Sequence, residues 1–257
     1  MELGPPEALR LSVRIFVDAE ALAAGPLAIR GEEHHYLVHV RRQAEGATVC
    51  LLDGQGRWAD AEILAISDGT TELLVAEPTL VGAPAFALTV VPALIKGERM
   101  DQAISKMVEL GVARICPVTT ERTVVRLKGD RAKSRHKRFE SLAKAAARQS
   151  RNPNPPSIEP IGSLSALLAK PPAADLLLIP EASGAAPSLA NALPSAAPAS
   201  AVVLIGPEGG FSPTELAAAG NAGFAPVSLG PRVLRAETAC IAIASILAFR
   251  YGDVGSI

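Results

Sequence analysis

The chain has 257 residues, 49% of them apolar and 20% charged, with 25 Lys+Arg against 26 Asp+Glu. Such a length is ample for one or two folded domains, and the apolar share with near-zero net charge excludes a disordered chain or a histone-like polycation. Three separated cysteines, Cys50, Cys116 and Cys240, make no CxxC pair, which excludes a disulfide scaffold and a cysteine-built zinc site and points to a reducing compartment.

In chain order, the opening residues carry neither the basic tip nor the apolar stretch of a secretory signal. Residues 13–17 are β-prone, and 48–52 lead into a turn at Asp53-Gly54-Gln55-Gly56. A strand over 58–66, a turn at Asp68-Gly69 and a strand over 71–75 follow. Short strands joined by Gly-rich turns predict a small β-barrel or sandwich over residues 1–80. His34, His35 and His39 fall within it, but their spacing matches no common zinc pattern, so they are expected as polar surface and no metal is expected. Pro78, Gly82 and Pro84 mark the boundary to a second domain over 84–257.

The rhythm then changes. Residues 86–95 are strand-like, Met100, Ile104, Met107 and Val108 recur at helical spacing before Gly111, and 112–118 are strand-like again. That βαβ order predicts an α/β domain with a parallel sheet. Further buried strands are expected at 175–179 and 201–205, either side of an Ala/Pro/Ser-rich connection. The longest apolar tract, 239–249, falls short of the roughly 20 residues of a spanning helix, so a soluble, cytoplasmic protein with no membrane partner is expected.

Charge is unevenly placed. Residues 1–80 hold 6 basic and 13 acidic side chains, whereas 121–151 hold 11 basic and 3 acidic. Over 134–151, a helical projection puts Phe139, Leu142, Ala143 and Ala146 on one side and Lys137, Lys144, Arg148 and Arg151 on the other. The arrangement suits either a helix facing nucleic acid or a merely solvated one; the near absence of acidic partners other than Glu140 speaks for the first.

Two Gly-rich loops carry the chemistry. Gly206-Pro207-Glu208-Gly209-Gly210-Phe211 leaves the strand at 201–205 and opens a helix through the capping box Ser212-Pro213-Thr214-Glu215. Residues 228–238 leave a short strand at 224–227 and lead into an apolar helix over 239–250. Loops at the carboxyl ends of parallel strands are where open α/β sheets bind ligands, and glycines let the backbone approach closely. Neither loop fits the dinucleotide or P-loop pattern, so an adenosine-like group held by main-chain atoms suits better than NAD or ATP. The alternative is a well-capped strand-to-helix turn with no ligand.

The run 204–212, with Leu229-Gly230-Pro231-Arg232-Val233-Leu234-Arg235-Ala236-Glu237-Thr238-Ala239, resembles the signature of the RsmE family, the ribosomal RNA small-subunit methyltransferases E. Lys96-Gly97-Glu98-Arg99-Met100, Glu109-Leu110-Gly111-Val112 and the His-rich stretch 32–42 resemble further family motifs in the same order, with departures at Arg41 and Tyr36. The resemblance implies a SPOUT-type, trefoil-knotted methyltransferase domain behind a PUA-like, RNA-binding β-barrel. It implies a homodimer that uses S-adenosylmethionine, without a metal, to methylate N3 of uridine 1498 of 16S rRNA in the small ribosomal subunit.

By that resemblance, Ile205, Gly206, Gly210, Leu229, Gly230 and Leu234 hold the cofactor. Arg235 stabilises charge on the uracil, and Glu237 either accepts the proton or orients Arg235. Arg14, Arg41, Arg42, Lys137, Lys144, Arg148 and Arg151 are expected RNA-backbone contacts. The rival readings are a SPOUT enzyme acting on another RNA nucleotide, a nucleotide-dependent α/β enzyme, and a non-catalytic RNA-binding protein.

Overall fold

A computed structural model describes residues 12–80, 82, 84–125, 127, 129–182 and 185–255. The chain divides into two compact units, one from residues 1–83 with 147–155, the other from 84–146 with 156–256. The first unit therefore takes in a segment, 147–155, that two contiguous domains would have left with the second.

In the first unit the described strands are β1 (Val13–Phe16), β2 (Gly25–Arg30), β3 (Thr48–Leu52), β4 (Arg57–Ser67), β5 (Thr70–Val75) and β6 (Thr79–Leu80). They pair in the order β1-β3-β4-β5-β2, with β6 on β4; only the β1–β3 pairing is parallel. Alternation explains the core: Val13, Ile15, Val49, Leu51, Ala59, Ala61 and Ile63 point inward with Leu22, Leu37 and Leu73. The turn after β3 forms as its sequence requires. The Asp53 carboxylate accepts the backbone N–H of Gln55 at 2.7 Å and of Arg57 at 2.9 Å, and the Arg57 Nε at 2.7 Å. Between β2 and β3 a short helix α1 (Gly31–His35) runs into a π-turn (Tyr36–Val40), which the spacing of the histidines did not announce.

The second unit holds β7 (Ala87–Pro92), α2 (Glu98–Glu109), β8 (Arg114–Ile115), β9 (Val118–Thr119), α3 (Asp130–Ser150), β10 (Ser157–Ile158), β11 (Gly162–Ser163) and α4 (Leu164–Ala169). After these come β12 (Leu176–Pro180), α5 (Leu189–Ala192), β13 (Ser200–Ile205), α6 (Pro213–Asn221), β14 (Ala225–Val227) and α7 (Ala236–Tyr251). The last turn of α3 is counted with the first unit.

The main sheet runs β10-β8-β7-β13-β12-β14, parallel throughout, and β9 pairs with β11 beside it. The strand expected over 112–118 is split at Pro117, which has no N–H to donate and separates β8 from β9. Ala201 to Ile205 are all buried, the unbroken apolar run of a strand covered on both faces. One cover is α7, which packs on β7 and β13 and against which α2 sets its fully buried stripe Met100, Ile104, Met107 and Val108. Leu164 of α4 with Phe211, Ala219 and Phe224 around α6 cluster with Val91, Val202 and Leu204. Each such side chain contributes about 1.5–3 kcal/mol by leaving water.

Cys50, Cys116 and Cys240 are all free and buried. Among the described residues, no helix is long and apolar enough to cross a membrane and no group of three or more His, Cys, Asp or Glu is placed to hold a metal ion.

Candidate functional site

β13 and β14 both pair with β12, one on each side, so their carboxyl ends deliver the two Gly-rich loops one strand apart on the same edge of the sheet. The segment following β12 joins the second loop, because Ser188 bridges Ser228: the Leu189 N–H donates to the Ser228 carbonyl at 2.9 Å and the Ser228 N–H to the Pro187 carbonyl at 2.8 Å.

The first loop is anchored at every turn. The Ser212 hydroxyl accepts the Glu215 N–H at 3.1 Å while the Glu215 carboxylate accepts the Ser212 N–H at 2.9 Å, completing the expected capping box, with Pro213 in the first turn. Glu215 also accepts the Glu121 N–H at 2.8 Å. Arg122 donates to the Gly209 carbonyl at 2.8 Å, and Arg99 pairs with Glu208 at 3.1 Å. Arg99 lay inside a recognised motif; Arg122 was missed because a contact spanning 87 positions leaves no periodicity to read.

Gly206 packs close under the Phe211 ring, 3.2 Å from where a Cβ would stand. At Gly210, with φ of +68°, and at Gly230, with φ of +118°, the space a Cβ would fill is open to at least 4 Å. Those are backbone conformations that favour glycine, beside room for a bound group. Ile205 is buried, Leu229 and Leu234 are half-buried, and Gly230 is exposed. The second loop is therefore a thin wall of main chain with leucines behind it, and among the described residues its side-chain hydrogen bonds are the long pair between Ser228 and Gly230, at 3.3 and 3.4 Å.

Arg235 is the residue before α7, in extended conformation, exposed, and in no ion pair among the described residues. Glu237, in the first turn of α7, is 8% exposed, and its Oε2 is buried without a hydrogen-bond partner. No ion pair joins it to Arg235. The Cys240 thiol, wholly buried on the same helix, is pushed up to about 12 by burial and secondarily by the Glu237 charge.

The basic residues separate into three kinds. Lys137 and Lys144 are exposed on α3 and make no ion pair among the described residues, while Phe139, Ala143 and Ala146 on the opposite side are buried as the projection requires. Arg41, Arg42 and Arg151 are exposed. Arg14 and Arg148 are not: Arg14 is 9% exposed, and Arg148 is committed to Glu33, with its guanidinium over the Tyr36 and Phe16 rings at 4.9 and 5.8 Å. Placing Arg148 among solvent-facing cations thus needs correcting. Helical spacing located its face, but Arg148 itself falls in the first unit, whose Glu33 supplies a carboxylate and whose Tyr36 and Phe16 lie against it.

Comparison with known proteins fits this geometry. A model of the RNA methyltransferase domain matches residues 83–248, and one of the RNA methyltransferase PUA domain matches 29–75. A ribosomal RNA small subunit methyltransferase E of Synechocystis sp. is 33% identical over 92% of this chain and 77% of its own. Among solved structures, a ribosomal RNA small subunit methyltransferase E from Neisseria gonorrhoeae bound to S-adenosyl methionine superposes with a TM-score of 0.84 at 28% identity, covering 94% of this chain and 99% of the other. A methyltransferase from Legionella pneumophila in complex with the same cofactor gives 0.87 at 28% identity, with the same coverage. Fold and loops define an RNA methyltransferase of the α/β class with a PUA-like domain ahead of it. More narrowly, the chain belongs to the ribosomal RNA small subunit methyltransferase E family.

Proposed function

We propose that this chain transfers a methyl group from S-adenosylmethionine to N3 of uridine 1498 of 16S rRNA in the small ribosomal subunit, acting as a homodimer. The observation that carries the proposal is the pair of glycine-rich loops at the ends of β13 and β14, with open space beside Gly210 and Gly230. A side chain at either position would fill the cradle in which main-chain atoms of Ile205, Gly206, Gly210, Leu229, Gly230 and Leu234 hold the adenosine. A knotted path of the chain through these loops, implied by the resemblance, belongs to the same reading.

The bound donor supplies an activated methyl on a sulfonium. The protein's own work is to align uracil N3 with it and to favour loss of the N3 proton, because the protonated nitrogen is a poor nucleophile. Arg235, permanently charged and free at the mouth of α7, donates to a uracil carbonyl as negative charge grows there. Glu237 makes no ion pair with Arg235, which favours proton acceptance over orienting that arginine, and its route to the uracil requires the sparsely tethered second loop to rearrange around the buried carboxylate.

Arg41, Arg42, Arg151, Lys137 and Lys144 serve as phosphate contacts, which position without specifying, so the choice of uridine falls to RNA shape and a splayed base. For the homodimer, Ile246 and Phe249, three residues apart on α7, are 41% and 72% exposed, and Val233 of the second loop is 82% exposed.

The test is to incubate the protein with labelled S-adenosylmethionine and unmodified small subunits, then map the methylated nucleotide. Label at N3 of uridine 1498 is expected. Label on another nucleotide selects the neighbouring SPOUT reading, and donor binding with no transfer selects the non-catalytic one.

A further inference from the structure

We propose that Asp101 is a positioning residue for methyl transfer, fixing the basic helix α3 to the stretch of chain that also latches the first cofactor loop. This rests on the reading of the chain as a methyltransferase acting on RNA. It goes further by naming the element that keeps the two substrates in register.

Asp101 stands in the first turn of α2, where the helix dipole favours a carboxylate. It is 8% exposed, so its charge needs partners, and α3 supplies them. Arg138 donates to the Asp101 Oδ2 from Nη2 at 2.6 Å and from Nε at 3.0 Å. Arg135, three residues earlier on α3, brings its Nη2 to 3.1 Å from the Gly97 carbonyl and 3.5 Å from the Asp101 Oδ1. Its guanidinium also lies 5.1 Å from the centre of the buried Phe139 ring. One arginine balances one carboxylate. The second ties α3 at a successive turn of the same face, which fixes the rotation of the helix as well as its distance.

The same short stretch, residues 97–101, holds the cofactor side. Arg99, between Gly97 and Asp101, pairs with Glu208 of the first loop at 3.1 Å. At about 100° per residue, Arg135 and Arg138 flank the buried stripe of α3, while Lys137 and Lys144 are exposed on its far side. RNA phosphates on these lysines are therefore tied, through α3, Asp101 and Arg99, to the loop that holds the donor.

One oxygen shows that the tie has play. The Asp101 Oδ1 is buried with no hydrogen-bond donor among the described residues, because the Arg135 Nη2 beside it bonds the Gly97 carbonyl instead. A buried carboxylate oxygen left unmet is costly, and such atoms mark strain or function. A small turn of α3 moves Nη2 from Gly97 onto Oδ1 and shifts the stretch that carries Arg99.

Cutting the tie at each end tests the role. Arg138→Gln cuts it at a side chain that is 56% exposed, and Glu208→Gln cuts it at the loop. With saturating donor and unmodified small subunits, each should lower the single-turnover rate about tenfold, less than the roughly hundredfold of a 1 Å misplacement. The double variant should be no slower than either alone, because one cut already frees the tie. Arg138→Lys, which keeps the charge, should recover most of the rate. Affinities of Arg138→Gln for S-adenosylmethionine alone and for RNA alone should stay within about twofold, so the loss falls on kcat. Asp101→Asn is expected to match Arg138→Gln; if it does not fold, Arg138→Gln decides alone. Wild-type rate in Arg138→Gln, or losses that multiply in the double variant, overturn the role while leaving the methyltransferase reading intact. A rate loss matched by lost donor and RNA affinity also overturns it, because Asp101 would then be supporting the fold. A wild-type protein that methylates no small-subunit RNA removes the underlying reading and the positioning role together.

Discussion

The two glycine-rich loops leave the same sheet edge one strand apart, yet they are built in opposite ways. The first is held by Arg99 on Glu208, Arg122 on the Gly209 carbonyl and a complete capping box. The second has exposed Pro231, Arg232 and Val233, and α7 begins after Arg235 with no side-chain cap. A fixed loop sets where a ligand's rigid part sits at no ordering cost on binding, whereas a sparsely tethered one orders around whatever arrives second. On the proposed reading both loops hold the donor, the first at little ordering cost and the second by ordering as donor and RNA arrive.

The sharpest way to break this comparison is at its free end. Arg235→Ala is expected to lower turnover by about a hundredfold or more while leaving donor affinity within about twofold. Retained turnover in single-turnover assays would take Arg235 out of the mechanism. Next in size, Gly230→Ala places a Cβ in the open cradle at a φ of +118°, so donor affinity should drop about tenfold with turnover at saturation less affected. Calorimetric titration with S-adenosylmethionine reads it directly.

A smaller effect tests the fixed end. Removing both latches, Arg99→Ala with Arg122→Ala, should weaken donor binding a few-fold. It should also raise amide exchange at Gly209 and Gly210, and unchanged exchange would mean the latches are ornamental. Smallest of all, Ser212→Ala removes one cap worth about 1 kcal/mol, a Tm decrease of about 2–4 °C for a chain this size, with donor affinity unaltered.

How far the sequence carried these conclusions depended on distance along the chain. The strands at 48–52 and 201–205, the stripe Met100-Ile104-Met107-Val108 and the capping box at Ser212 follow from rules reaching at most eight residues, and each was legible. β2 was not, since its alternation is carried by only two inward apolar side chains, Leu27 and Ile29, behind Gly25 and Pro26. The π-turn, which fits neither a period of 3.6 nor of 2, was invisible for the same reason.

Within the site, the glycines and Arg235 could be found because a contiguous motif holds them. Arg148 misled because its carboxylate partner, Glu33, lies 115 positions earlier. Arg14, on β1 between Val13 and Ile15, is 9% exposed, a burial that residues 13–17 alone do not announce.

The buried thiols offer a practical consequence. Cys50 lies in the barrel unit, whereas Cys116 and Cys240 lie in the sheet unit, and burial raises the pKa of all three. A native molecule should therefore be silent to alkylating reagents, and each label that does attach dates the moment its own half of the protein came open. Mass spectrometry of partly denatured samples thus becomes a two-channel clock for which half lets go first.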